Sequence, residues 1–156
     1  CIKFLIVTGD KSKKIEIENT LNEFKIQNHV KILLQVPFSN MPVILNCCDI
    51  LISHFNFHGK WPHNCSIKHL EYLSLGKSVV ATDVGEVNFA VEHNVNGLLC
   101  NEGDIKAFVK SILKLSSDKL MRTKFGNAGR LKAIRELSWE KNIQRIVDAL
   151  NTRREG

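Results

Sequence analysis

The sequence predicts an α/β protein built on a doubly wound, mainly parallel sheet with helices on both faces. Three observations carry that expectation. Short continuous apolar runs alternate with amphipathic stretches along the 156 residues, the pattern of buried parallel strands joined by crossover helices. The connections are short, roughly two to six residues, as neighbouring βα units require. Glycine and proline stand at the joints (Gly9, Pro37, Gly76, Gly85, Gly97), where they punctuate elements.

The elements follow in order. Ile2 to Thr8 is an apolar run closed by Gly9-Asp10, a first strand. Residues 13 to 27 set Ile15, Ile17, Leu21 and Phe24 among charges, an amphipathic helix. Val30 to Val36 reads as a second strand stopped by Pro37. Ser39 is placed to cap a short helix through Leu45 to Cys48, with Pro42 in its first turn. Asp49 to Phe55 is a third strand, followed by a loop rich in His, Gly and Pro. A helix from Ser66 to Leu75 stops at Gly76. Ser78 to Val84 is a fourth strand, and Gly85 turns into a short helix through Val91. Asn94-Val95-Asn96-Gly97 is a turn before a fifth strand, Leu98 to Cys100. Asp104 caps a helix through Leu115. Two more helices span Asp118 to Leu137 and, after a Ser138 cap, Trp139 to Arg153.

Composition narrows the function classes. Apolar residues make up 44% and charged residues 24%, ordinary for a globular domain. No apolar run approaches the ~20 residues of a membrane span. The five cysteines, Cys1, Cys47, Cys48, Cys65 and Cys100, are odd in number and form no C-x-x-C pair, which suits a reducing, cytoplasmic setting. Cys47 and Cys48 read as buried packing, and Trp139 as a packing anchor. The net charge of +6 suits an anionic partner such as a nucleotide phosphate or an acidic membrane surface. No initiator methionine is present, so a piece of a longer chain is expected.

Ligands of doubly wound sheets bind outside the carboxyl ends of the strands, so the loops after Phe55 and Val84 are the candidate site. The segment "SIKHLEYLSLGKSVVATDVGE" lies between them. Its helix start offers unpaired N–H groups at Ser66, Ile67 and Lys68, an anion site. Ile67, Leu70, Leu73 and Leu75 leave that helix little solvent face. Lys68 and Glu71 stand one turn apart. Two readings of this pair are open. One is an ion pair worth about 0.2–0.5 kcal/mol. The other is a ligand site, with the carboxylate accepting ribose hydroxyls and the lysine neutralising phosphate.

Taken with "NVNGLLCNEGD" downstream, the segment resembles the C-terminal, nucleotide-sugar-binding domain of the retaining family-four glycosyltransferases of GT-B fold. "IKFLIVTGD", "VKILLQVPFSNMPVILNCCDILIS" and "SWE" match further pieces of that domain in order. The resemblance implies a Rossmann-like half of a GT-B fold spanning residues 1–156, lacking its first strand and the loop with the Arg and Lys that bind the diphosphate, and ending in a helix over 139–156. It implies transfer of a sugar from a nucleotide-diphosphate sugar, such as a UDP- or GDP-sugar, to an acceptor hydroxyl with retention.

By the same resemblance Glu71 holds the donor ribose, and Cys65, Ser66 and Ile67 meet the diphosphate. Lys68 faces the phosphates, Val36 and Met41 flank the base, and Gly85 makes the glycine turn. His63 stands where the E-x7-E motif has its first glutamate, the sugar contact, so His63 and Lys68 are the candidate catalytic residues. Phe89 and Glu86 replace a glutamate and a glycine of many members, so sugar identity does not carry over. No cofactor is implied beyond the donor.

The acceptor, a glycan or glycolipid, would be met through an N-terminal domain outside this sequence, leaving these residues inactive alone. Peripheral contact with the cytoplasmic face of a membrane is a further expectation. The alternatives are a non-catalytic nucleotide-sugar-binding module and a GT-B sugar epimerase. His54, His58, His63 and Cys65 match no standard zinc spacing, G-x-G-x-x-G is absent, and no nucleic-acid module is recognised.

Overall fold

The structure, a computed structural model, describes residues 2–55 and 67–152. The chain falls into two compact units, Cys1–Cys48 and Asp49–Gly156.

In the first unit β1 (Phe4–Thr8) pairs in parallel with β2 (Val30–Leu34), Phe4 opposite Val30 and Thr8 opposite Leu34. The helix between them, α1 (Lys11–Glu23), starts earlier than residue 13 because the Asp10 carboxylate accepts from the N–H groups of Ser12 at 2.8 Å and Lys13 at 3.3 Å. It also ends earlier than residue 27. Lys25 takes φ 56°, its N–H meets Asn22 O, and the Ile26 N–H meets Leu21 O at 2.9 Å. These two bonds form a Schellman closure without the usual glycine, so the sequence carried no stop signal there. Of the apolar residues expected on its face, Leu21 is buried and Ile17 half-buried, whereas Ile15 and Phe24 are exposed.

Strand β2 stops at Leu34 rather than Val36, because Gln35 turns left-handed at φ 54°. Helix α2 (Met41–Asn46) has Asn40, not Ser39, at its N-cap position, without a side-chain cap bond; residues 38–40 form a 3-10 turn instead. Cys47 is exposed and Cys48 half-buried. This corrects the expected burial of the pair: Cys47 is the C-cap of the six-residue α2, where the chain turns at the surface.

The second unit holds β3 (Ile50–Ser53), β4 (Ser78–Asp83) and β5 (Gly97–Asn101), ordered β3-β4-β5 and parallel throughout. Ser78 to Thr82 are all buried. Alternate residues of a strand face opposite ways, so both faces of β4 are covered. On one face Val80 joins Leu98 and Cys100 in a cluster with Phe108 and Leu115 of α5 (Ile105–Ser117) and Phe125 of α6 (Lys119–Glu136). Against β3 and β4 packs α3 (Ile67–Ser74), which also meets α4 (Val87–Ala90) and α6.

Local chemistry sets these ends. Asp104 and Asp118 cap α5 and α6 through the N–H groups of Ala107 and Met121, both at 2.8 Å. Asn96 is wholly buried and ties the turn before β5, accepting from the Glu92 N–H at 2.7 Å and donating to Ala90 O at 3.1 Å. Ser138 Oγ accepts from the Lys141 N–H at 3.3 Å and opens α7 (Trp139–Thr152). The Glu140 backbone N–H and then the Ser138 hydroxyl hold the Glu140 carboxyl below its ordinary pKa. Trp139 is 76% exposed, so it is not the packing anchor expected: it lies on the same open helix face as Ile143 and Ile146.

All pairings among the described strands are parallel and helices flank them, as the sequence predicts. No helix among the described residues is long and apolar enough to cross a membrane.

Candidate functional site

The site of the second unit is built where β3 and β4 end. The chain leaves β3 through His54 and Phe55, and the Phe55 N–H donates to Thr82 Oγ1 on β4 at 3.1 Å. Thr82 is itself buried, so this bond fixes the start of the loop to the neighbouring strand. His54, expected inside the strand, lies just past it, its ring edge-on to Phe108 at 5.1 Å between centroids.

Helix α3 returns to the same end. Its buried stripe is His69, Tyr72 and Leu73, a one-turn spacing that presents a single face. This corrects the expected apolar face: Ile67 is 61% exposed, and Leu70 and Leu75 are half-buried. His69 is 0% exposed, and its Nε2 lies 2.9 Å from Ser53 Oγ at the last residue of β3. The Phe55 ring approaches the His69 ring, 6.4 Å between centroids at 63°. The helix stops in a Schellman closure: Gly76 at φ 67°, its N–H to Leu73 O at 2.9 Å, and the Lys77 N–H to Tyr72 O at 3.3 Å.

With His69 facing inward, Lys68 and Glu71 face away from the core, Lys68 exposed and Glu71 half-buried. Among the described residues they form no ion pair with each other. Lys68 Nζ instead sits over the Phe55 ring, 4.6 Å from its centroid, a cation–π contact. That contact places the N-terminal end of α3 beside the carboxyl end of β3. The first N–H groups of α3, at Ile67 and Lys68, have no partner within the helix. Gly85 follows β4 at φ 57° and leads into α4, which packs against α3.

The second unit thus brings the start of α3, with Ile67 and Lys68, to the carboxyl end of β3, and the Gly85 turn follows β4; Glu71 lies one turn further along α3. His63, Cys65 and Ser66, like His58, lie outside the described residues. Val36, two residues past β2, and Met41, the first residue of α2, belong to the first unit, and both are half-buried.

Sequence reasoning missed three features of this end. Phe55 carries the contact that holds Lys68. The second is His69, bonded to Ser53. The third is the pair Gly126 and Gly129 on α6: a Cβ on Gly126 would lie 2.0 Å from Gly76 O, and one on Gly129 2.7 Å from Leu73 Cδ2. These glycines let α6 approach the end of α3, where Arg130 Nη1 donates to Ser74 O at 2.7 Å. The spacing of two glycines one turn apart was the available signal.

The family model described as "Glycosyl transferases group 1" matches residues 3–132. The chain belongs to the group 1 glycosyl transferases. An uncharacterized glycosyltransferase of Methanocaldococcus jannaschii is 26% identical over 145 residues, covering 91% of this chain and 38% of that protein. Among solved structures, Anabaena HepE in complex with UDP superposes with a TM-score of 0.83 at 21% identity, over 97% of this chain and 41% of HepE. Sucrose-phosphate synthase from Thermosynechococcus elongatus gives a TM-score of 0.80 at 19% identity, over 95% of this chain and 37% of the synthase. This group 1 chain therefore shares its fold with glycosyltransferase half-domains of GT-B type and spans about two fifths of the length of these relatives.

Proposed function

We propose that the chain is the donor-binding domain of a retaining, family-four glycosyltransferase, which takes a nucleotide-diphosphate sugar and passes the sugar to an acceptor hydroxyl held by a further domain. The observation that supports this best is the separation of Lys68 from Glu71. A surface ion pair would occupy both charges; instead the ammonium rests on Phe55, and the carboxylate, one turn further along the helix, stands outside any ion pair among the described residues.

In this proposal Glu71 accepts the ribose hydroxyls. Lys68 and the N–H groups at the start of α3, Ile67 included, neutralise the diphosphate, and in the transition state they stabilise the charge that grows on it as leaving group. Cys65 and Ser66 supply backbone contacts to the same phosphates, Gly85 gives the turn beside them, and His63 meets the sugar. Because Anabaena HepE is described with both UDP and UDP-glucose, a uridine nucleotide is the first donor to try.

Calorimetric titration with UDP, GDP and ADP tests the proposal. The isolated chain should bind at least one of them, weakly, and should transfer no sugar alone. Charge-assisted hydrogen bonds contribute about 1.5–3 kcal/mol each, so Glu71→Gln should weaken that binding at least roughly tenfold with the melting temperature unchanged. Equal affinity in parent and variant would return Glu71 to the role of an ordinary surface carboxylate. His63→Ala in the full-length enzyme should alter the choice of donor sugar and leave bare-nucleotide affinity alone. A full-length enzyme that binds the donor without turnover would favour the non-catalytic module.

A further inference from the structure

We propose that the outward face of α5 is a docking surface for an anionic lipid membrane. The helix uses Phe108 and Leu115 for the core, yet its other side is not the polar face such a helix usually shows. Ile105, Val109 and Leu113 are 55%, 48% and 52% exposed, and at four-residue spacing they form one ridge. Lys106, Lys110 and Lys114, all exposed, form a second ridge beside it. The ridges run parallel for two turns, about 12 Å.

Charge makes the face one-signed. No residue from Ile105 to Ser117 is acidic, and none of the three lysines joins an ion pair among the described residues. The acids at its ends are engaged or separate: Asp104 and Asp118 cap helices through Ala107 and Met121 N–H, and Glu102 lies in the turn ahead of the helix. At the C-terminal end Arg122 Nη1 donates to Leu115 O at 2.7 Å and its Nη2 lies 3.8 Å from Asp49 Oδ1, so that charge is already paired and the face rests on the three lysines.

A membrane interface fits both ridges at once. Aliphatic side chains enter the boundary between headgroups and acyl chains, while lysines extend alongside toward lipid phosphates. A nucleic acid would satisfy the lysines but leave the aliphatic ridge against water, and the face has no aromatic ring on which bases could stack. The net charge of +6 draws the whole chain toward such a surface. This surface is independent of the donor site, since no group assigned to the nucleotide lies on α5.

Co-sedimentation of the 156-residue chain with vesicles tests it. Vesicles of one part phosphatidylglycerol to two parts phosphatidylcholine should carry the chain down at low salt, and pure phosphatidylcholine vesicles should not. Each lysine near an anionic surface is worth about fivefold in partitioning, so Lys106→Glu/Lys110→Glu should lose at least roughly tenfold. Val109→Ser/Leu113→Ser should lose several-fold, and both variants should keep the parent far-UV circular dichroism. Lys11→Glu/Lys13→Glu makes the same charge change on α1 and should bind nearly as the parent. The proposal is overturned if acidic vesicles leave the chain in solution, or if the α1 and α5 charge reversals lose binding equally. It is overturned also if RNA binds through the three lysines while the serine variant still binds acidic vesicles as the parent does.

Discussion

Phe55 and His69 decide what Lys68 and Glu71 can do. A histidine with no exposed surface needs a polar partner, and Ser53 supplies it at 2.9 Å. Ser53→Ala removes that partner and should lower the unfolding free energy by about 1–3 kcal/mol, the cost of leaving a buried polar atom unpaired, as urea denaturation would read. Phe55 acts on function instead. Its ring orients the ammonium of Lys68, and such contacts at exposed sites are worth about 0.5–1 kcal/mol. Phe55→Leu should therefore weaken nucleoside diphosphate binding by roughly two- to fivefold and leave nucleoside binding unchanged. An unaltered diphosphate affinity would mean that Lys68 is placed by something other than the ring.

Among the elements, α3 depends on how closely α6 can approach it. A methyl at Gly126 would meet the carbonyl oxygen of Gly76 at 2.0 Å, backbone against side chain with no rotamer to relieve it. Gly126→Ala should cost about 3 kcal/mol or more, read as a large drop in the denaturation midpoint. Gly9→Ala, whose methyl meets nothing within 4 Å, should stay within about 1 kcal/mol of the parent.

The contrast shows what was legible in the sequence. Strands β1 to β5 announce themselves as apolar runs, and Asp104 and Ser138 as caps, because those signals are local; Asp118 read as the first residue of its helix and is in fact its cap. The end of α1 was hidden, since Lys25 takes a left-handed turn that a glycine usually marks. His69 and Phe55 were hidden for another reason: their roles come from Ser53, Thr82 and Lys68, partners that only the folded sheet brings near. Of the candidate site, the resemblance singled out Glu71 and Lys68, but whether they pair with each other could not be read from it. Trp139 misled because an apolar residue at a helix start reads as an anchor whether or not anything covers it.

At the scale of the whole chain, each unit carries its own parallel strands, and the second unit places a helix start and a cation beside the end of β3, where doubly wound sheets receive ligands, with a carboxylate one turn further along the helix. The central claim is that Glu71 holds a ribose. The most direct measurement is a two-by-two comparison: affinity of parent and Glu71→Gln for UDP and for 2′-deoxy-UDP, by calorimetry or by nuclear magnetic resonance titration. A shared hydrogen bond makes the two losses non-additive. The account predicts that the parent loses roughly tenfold on removal of the 2′-hydroxyl, while Glu71→Gln, already weakened, is nearly indifferent to it. Equal sensitivity of parent and variant to the missing hydroxyl would show that the carboxylate does not touch the ribose.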